Sequence, residues 1–371
     1  MEGHLTIGRV WGIPIGLHLS WFLIFGLVTW SLAAGYFPSE YPGWAPATYW
    51  LLGAVTSLLF FGSVLVHELG HSWVALGNGI PIRSITLFVF GGIAQIGREP
   101  SSPAVEFRIA IAGPLTSLGL AALFWMIWLG TSDLAVVAAS MVWMARINLM
   151  LGLFNLLPGF PLDGGRVFRA VVWGWTGSFY RATVLASLTG QMVAFGFIGF
   201  GILAVFQGNV HGGLWMAFIG WFLQNAAAAS HAQANLGLLL RGVTVAQAMT
   251  AECPRVAPDL TVARLVQEEV LGRGHRCFFV ADNGHLQGLL TLHEVKAIPQ
   301  ERWDAVRVDE VMTPPDRVVS VAPEEDLLAA LQKMDSANVA QMPVVSGHRL
   351  LGMLSREQVL HYVRARAELG M

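Results

Sequence analysis

Six long apolar runs set the frame of this chain, at residues 17–35, 48–77, 105–130, 134–157, 183–206 and 213–237. A bilayer crossing takes about 20 mostly apolar residues, enough helix for a hydrocarbon core of about 30 Å. Each run is therefore read as a transmembrane helix. Ahead of the first, residues 5–16 alternate loosely and carry Gly8, Gly12, Pro14 and Gly16, which predicts a short β-hairpin at the membrane surface. Between the second and third runs, residues 81–97 alternate with β-branched positions and are broken by Gly91-Gly92. This stretch is too short for two crossings. It reads as a hairpin dipping into the cytosolic leaflet, with an edge that either pairs with an extended peptide or serves packing alone. Beyond residue 240 the pattern changes to short β runs such as 277–282 and 342–347, with amphipathic helical stretches at 260–270 and 324–334.

Composition and charge sharpen this division. The chain is 54% hydrophobic and 12% charged, with a mean hydropathy of +0.57; soluble domains carry roughly 25% charged residues. Residues 1–240 hold only 15 of the 46 acidic and basic side chains. The expected architecture is a multi-pass α-helical membrane domain over 1–240, with about six helices and a membrane-associated β-hairpin, followed by a soluble α/β module. The net charge of −2 carries no information about nucleic acid, and with no basic patch in the sequence none is expected as a partner. Cys253 and Cys277 both fall in the soluble part and read as reduced core residues, too few for a zinc ribbon or a disulfide framework. The N-terminal stretch lacks a clustered basic region and a small-residue cleavage site, so no removable signal peptide is expected.

The short loops orient the spans. Residues 36–47, 131–133 and 207–212 contain no Lys or Arg, whereas 78–104 carries Arg83 and Arg98, 158–182 carries Arg166, Arg169 and Arg181, and Arg241 follows the last span. Basic residues mark cytosolic loops. Both termini and the soluble module are therefore expected in the cytosol, with the protein in the cell membrane.

The chemistry concentrates in two places. The second span contains His67, Glu68 and His71 in the pattern H-E-x-x-H, with no other charged residue between Glu40 and Ile82. Imidazoles four apart on a helix share one face and can hold one ion, while the glutamate reaches a water on that ion. Ionisable groups inside a bilayer are costly and mark function. The second place is NLLPGFPLDGGR, residues 155–166, at the end of the fourth span. Pro158 and Pro161 break the helix, and Gly164 and Gly165 let the backbone turn. Topology brings Asp163 to the cytosolic depth of the two histidines, where it serves either as a third ligand, leaving a position for water, or as an Asp-Gly turn residue. Asn155 either donates to a developing oxyanion or holds carbonyls of the broken helix. Arg146, in the middle of the fourth span, has no assigned role. His18 and His231 read as helix-end residues.

An H-E-L-G-H motif in an apolar span, followed by N-x-x-P and L-D-G-G, resembles the site-2 protease family of intramembrane zinc metalloproteases, over about residues 5–235. The resemblance implies cleavage of a transmembrane segment of a single-pass or multi-pass membrane protein, in regulated intramembrane proteolysis. It places one Zn2+ per chain on His67, His71 and Asp163, gives Glu68 and Asn155 catalytic roles, and likens Gly91 and Gly92 to a substrate-binding hairpin. No PDZ-like insertion is present. The C-terminal part contains an internal repeat: VAQAMT at 245–250 returns as VDEVMT at 308–313, and LQGLLTLHEV at 286–295 as LLGMLSREQV at 350–359. It resembles a tandem pair of CBS domains, here 243–300 and 307–366, a class that often binds adenine nucleotides and self-associates. Nucleotide-binding repeats place an Asp three residues after a Ser or Thr. This chain has Thr291 with Glu294 and Ser355 with Gln358, so a nucleotide site and a purely structural or dimerising pair are both open. Two alternatives to an enzyme stand beside these readings, a CBS-regulated transporter or channel and a pseudoprotease that binds without cutting.

Overall fold

The computed structural model describes residues 4–89, 91–250, 254–282, 285–314, 317–346 and 349–369. The chain divides into two compact units between Asn235 and Leu236. The first unit opens with β1 (His4–Val10) and β2 (Ile13–His18), then α1 (Leu19–Trp30), which runs through a π-helical stretch, Ser31–Tyr36, into α2 (Phe37–Glu40). His18 caps α1, its Nδ1 accepting the Ser20 N–H at 3.2 Å, the helix-end role expected of it. Then come α3 (Pro46–Gly77), β3 (Ile82–Phe88), β4 (Gly91–Ile96), α4 (Pro103–Gly130), α5 (Ala135–Asn155), α6 (Asp163–Thr176), α7 (Phe179–Phe206) and α8 (Val210–Leu240).

Three features differ from the sequence reading. Five helical segments among the described residues are long and apolar enough to cross a membrane, namely Leu19–Glu40, Pro46–Gly77, Pro103–Gly130, Ala135–Asn155 and Phe179–Phe206. The expected sixth, α8, forms as a helix but is diluted by Gln224, Asn225, Ser230, His231, Gln233 and Asn235. His231 lies inside α8 rather than at its end, its Nε2 3.4 Å from Asn235 Nδ2. The loop expected over 158–182 contains a helix, α6, which Gly177 ends in the left-handed conformation, φ 65°. Finally, the two expected hairpins join. β2 pairs with β3 in parallel, Ile15 opposite Ile85 and Leu17 opposite Leu87, giving one four-stranded sheet in the order β1-β2-β3-β4. β4 is left as an edge strand.

The helices interlock through small and polar residues, because lipid supplies no hydrophobic drive between them. Thr29 Oγ1 donates to Ser57 Oγ at 3.1 Å, and the hydroxyls of Thr56 and Ser140 lie 2.8 Å apart, tying α3 to α1 and α5. A Cβ on Gly70 of α3 would overlap Thr116 of α4, and one on Gly152 of α5 would come 3.2 Å from the Pro114 carbonyl. The bundle therefore seats α3 against α4 at backbone range around the histidines.

The second unit is a pair of α/β repeats. The first repeat contains α9 (Val245–Ala248), β5 (Arg255–Val256), α10 (Val262–Arg264) running into a π-helical stretch Leu265–Leu271, β6 (Cys277–Asp282), β7 (His285–Thr291) and α11 (Leu292–Lys296). The second contains α12 (Val308–Val311), α13 (Leu327–Ser336), β8 (Gln341–Ser346), β9 (Arg349–Ser355) and α14 (Arg356–Glu368). The echoed VxxxMT segments have a structural reason. Val245 and Ala248 are buried in the core of the second repeat, with Leu327, Met342 and Leu354, while Val308 is buried in the core of the first, with Phe278 and Leu290. Thr250 pairs with Met353, and Thr313 with Leu289. Each repeat thus lends its leading segment to the other, which makes the pair one folding unit. Cys277 is buried; Cys253 lies outside the described residues.

Candidate metal centre and active site

His67 and His71 project from one face of α3, 4% and 6% exposed. Asp163, the first residue of α6, meets them. Its Oδ2 lies 3.1 Å from each Nε2, and the two Nε2 atoms are 3.3 Å apart. The orientation of each ring is fixed from behind by α4. His71 Nδ1 is 2.7 Å from the Ile109 carbonyl oxygen, which only accepts, so Nδ1 carries a proton that it donates there. His67 Nδ1 lies 2.8 Å from Ser117 Oγ. Such outer partners set the tautomer that turns an Nε2 lone pair toward a metal.

The donor set fits a metal ion. With Nδ1 donating to Ile109, His71 faces a carboxylate oxygen with its Nε2 at 3.1 Å, an approach that a cation held between the two makes favourable. His67, His71 and Asp163 each offer one ligand atom, all within 4.8 Å of one another. The fourth side is kept open by a glycine. A Cβ on Gly113 of α4 would overlap His71 Nε2 and lie 2.6 Å from His67 Nε2, filling the space beside the two ring nitrogens. Two nitrogens and a carboxylate oxygen are a ligand set used by catalytic zinc, with a fourth position for water.

Glu68, beside the pair, lies under β4. A Cβ on Gly92 would come 2.5 Å from Glu68 Cγ and 3.1 Å from Oε1, so the edge strand passes directly over this carboxylate. Gly91 is needed for another reason, its φ of 129° at the turn of the hairpin. Gly92→Val is therefore expected to displace the Glu68 carboxylate, slowing any reaction that depends on it about a hundredfold, with metal content unchanged. Rates and bound metal measured on one preparation check both halves.

The turn that carries Asp163 is held by close backbone approach. Phe160 N–H donates to the Ala186 carbonyl of α7 at 3.2 Å, and Gly190 packs on the Phe160 carbonyl. Gly164 and Gly165 lie within α6, where a Cβ would overlap the backbone at Leu156–Leu157 and Gly159–Phe160. They are required for this contact, which corrects the expectation that they allow a tight turn. Asn155 ends α5, and its Nδ2 donates to the Leu151 carbonyl at 3.1 Å. Arg146 Nη1 lies 3.5 Å from the Tyr36 hydroxyl. Sequence reasoning missed Ser117, Gly113 and the Ile109 carbonyl. Their signal was the recurrence of residues 109, 113 and 117 on one helix face.

The chain matches the profile described as Peptidase family M50 over residues 55–134 and 129–199, and that of the CBS domain over 245–300 and 308–365. It is 37% identical over 369 residues, 98% of this chain and 93% of the other, to a protein of Mycobacterium tuberculosis provisionally named zinc metalloprotease Rip3. The chain belongs to peptidase family M50. This M50 peptidase is also 28% identical over 361 residues, 97% of this chain and 96% of the other, to Zinc metalloprotease MJ0392 of Methanocaldococcus jannaschii. Among solved structures it is similar to the Site-2 Protease from Methanocaldococcus jannaschii, at 26% identity and a TM-score of 0.43, covering 62% of this chain and 95% of that one. Membership decides for an enzyme with a C-terminal CBS pair over a transporter joined to one.

In the second unit, Thr291, Glu294 and Ser355 line a cleft of about 570 Å3 together with Arg276, Lys296 and Arg356. Glu294 accepts from both the backbone and the hydroxyl of Thr291, and Gln358 accepts the Ser355 N–H at 2.8 Å. In both repeats the residue three positions on closes a local turn at the start of the following helix.

Proposed function

We propose that this M50 peptidase hydrolyses a peptide bond within a transmembrane segment of a membrane-protein substrate, in regulated intramembrane proteolysis, with one zinc ion held by His67, His71 and Asp163. The observation that carries this reading is the convergence of Asp163 on two imidazoles of a helix apolar enough to cross a membrane, with Gly113 leaving the space between their Nε2 atoms open. Zinc bound there would act as a Lewis acid and bring the pKa of a water to about 7. The protein's own groups have distinct tasks. Glu68 takes a proton from the attacking water on a carboxylate oxygen and gives it to the leaving amine nitrogen as the C–N bond breaks. The Ile109 carbonyl holds His71 in the tautomer that turns Nε2 inward, and Ser117 anchors the ring of His67. Asn155, released from the Leu151 carbonyl, donates from Nδ2 to the oxyanion.

A helical peptide shields its carbonyls, so the substrate must unwind to be cut. The free edge of β4 supports a role for the hairpin in this step, pairing with the extended segment beside Glu68, with Gly91 and Gly92 as the binding positions. The alternation of arginines between loops supports cytosolic termini and a cytosolic CBS pair. The cleft between the repeats, with Thr291 and the four basic residues Arg276, Lys296, Arg317 and Arg356, supports an adenine nucleotide as the effector of the CBS pair, which also joins chains into a homo-oligomer. Equilibrium dialysis of the full-length protein with AMP and ATP is expected to show binding that Thr291→Ala weakens about tenfold, the loss of one good hydrogen bond.

Cleavage is tested by reconstituting the protein with candidate single-pass substrates in vesicles and mapping the new termini by mass spectrometry. A cut inside the apolar segment is the expected result. Cuts confined to extramembrane loops would remove the intramembrane reading and leave a membrane-bound peptidase.

A further inference from the structure

One face of α4 touches the support of every proposed metal ligand. Glu106, Ile109, Gly113 and Ser117 recur at spacings of three and four and so line up along the helix. Ile109 and Ser117 hold His71 and His67, and Gly113 leaves the space between them. Glu106 begins the stripe and is fully buried. Arg169 of α6 grips it, with Nε 2.9 Å from Oε1 and Nη2 on the same oxygen. The guanidinium also lies over Phe160 at 4.9 Å and over Phe179 at 4.4 Å, with Nη1 3.4 Å from Thr183 Oγ1. Phe160 precedes Asp163 by three residues and Arg169 follows it by six, so one cation closes on both flanks of the turn that bears the third ligand. Arg166, one helical turn after Asp163, brings its Nε to 3.8 Å from the same Glu106 oxygen.

We infer that the Glu106–Arg169 pair is a positioning strut that sets Asp163 against the two imidazoles, making α4 a common template for all three ligands. This rests on the metal-site reading above. An apolar contact would hold α6 to α4 without fixing its register. A planar guanidinium bonded through two nitrogens to one carboxylate, between two rings, fixes both distance and rotation. Desolvating two charges is costly, and Glu106 Oε2 is buried without a hydrogen-bond partner among the described residues. A pair of this kind is poorly explained by stability alone and better explained by the geometry it specifies.

The test uses full-length protein in detergent with Co2+ in place of zinc, because the visible bands of bound Co2+ report ligand set and geometry. Asp163→Ala supplies the spectrum of the site without its third ligand. Arg169→Lys and Glu106→Gln are expected to move the bands toward that spectrum and weaken Co2+ binding about 10- to 100-fold. In metal-free protein, amide exchange over residues 159–166 is expected to rise in both variants. Leu52→Ala, in a buried cluster with Leu32 and Phe37, should lower the melting temperature and leave the bands in place. If both strut variants keep the wild-type spectrum, affinity and exchange, the strut is wrong and the metal site stands. If the folded wild type takes up no Co2+, the metal-site reading itself falls, and the strut with it.

Discussion

Gly113→Ala is expected to abolish metal binding while leaving the bundle folded. Alanine is the better residue in most helix interiors, by roughly 0.5–1 kcal/mol over glycine. The sign of the effect is therefore informative. Here the added methyl would enter the space between the two Nε2 atoms. The imidazoles have little freedom to retreat, since Ile109 and Ser117 hold them from behind at 2.7 and 2.8 Å. Losing an outer partner of a metal ligand costs about 10- to 100-fold in affinity. Occupying the metal's own space should cost about 100-fold or more. Elemental analysis after detergent purification, beside a thermal melt, separates the outcomes. Loss of metal at unchanged melting temperature is the expected one. Retained metal would mean that the ion sits elsewhere.

Glu68→Gln is expected to separate metal binding from chemistry. The amide keeps the shape of the carboxylate and fits under Gly92, but it cannot accept the proton of the attacking water. General acid–base groups contribute about 10²–10⁴ in rate, and cleavage should fall by that factor with zinc retained. Zinc lost together with activity would make Glu68 a ligand. Activity retained would assign the base to another group. A binding-only pseudoprotease is tested in the same assay, since it gives no cleavage even in the wild type.

Much of the fold was legible because a bilayer imposes a length on every crossing. The runs near 48–77, 105–130 and 134–157 became α3, α4 and α5 with ends displaced by two residues or fewer. Local pattern carries no information about distant pairing, so the joining of β2 to β3 in parallel was not readable. α6 was hidden because its start, Asp163-Gly164-Gly165, looks like a turn. Only the structure shows that these glycines are helical and pressed against the Gly159–Phe160 backbone. The meeting of His67, His71 and Asp163 followed from motif and topology together. The recurrence of 109, 113 and 117 on one face was visible but not its meaning, since a stripe of small residues on an apolar helix has the same appearance whether it packs helices or makes room for an ion; the Glu106–Arg169 pairing had no local signal at all. In the C-terminal unit the repeat was visible, whereas the exchange of leading segments was not. Val245 and Val308 look like ordinary core positions until each is found in the other repeat's core.

The most direct test of the central claim is the zinc content of the detergent-purified protein, measured for the wild type, for Asp163→Ala and for the double change His67→Ala with His71→Ala. It requires no substrate. The account predicts close to one zinc ion per wild-type chain, strongly reduced in Asp163→Ala and absent in the double variant. A well-folded wild type that holds no zinc when the metal is supplied, or zinc that persists in the double variant, would contradict it.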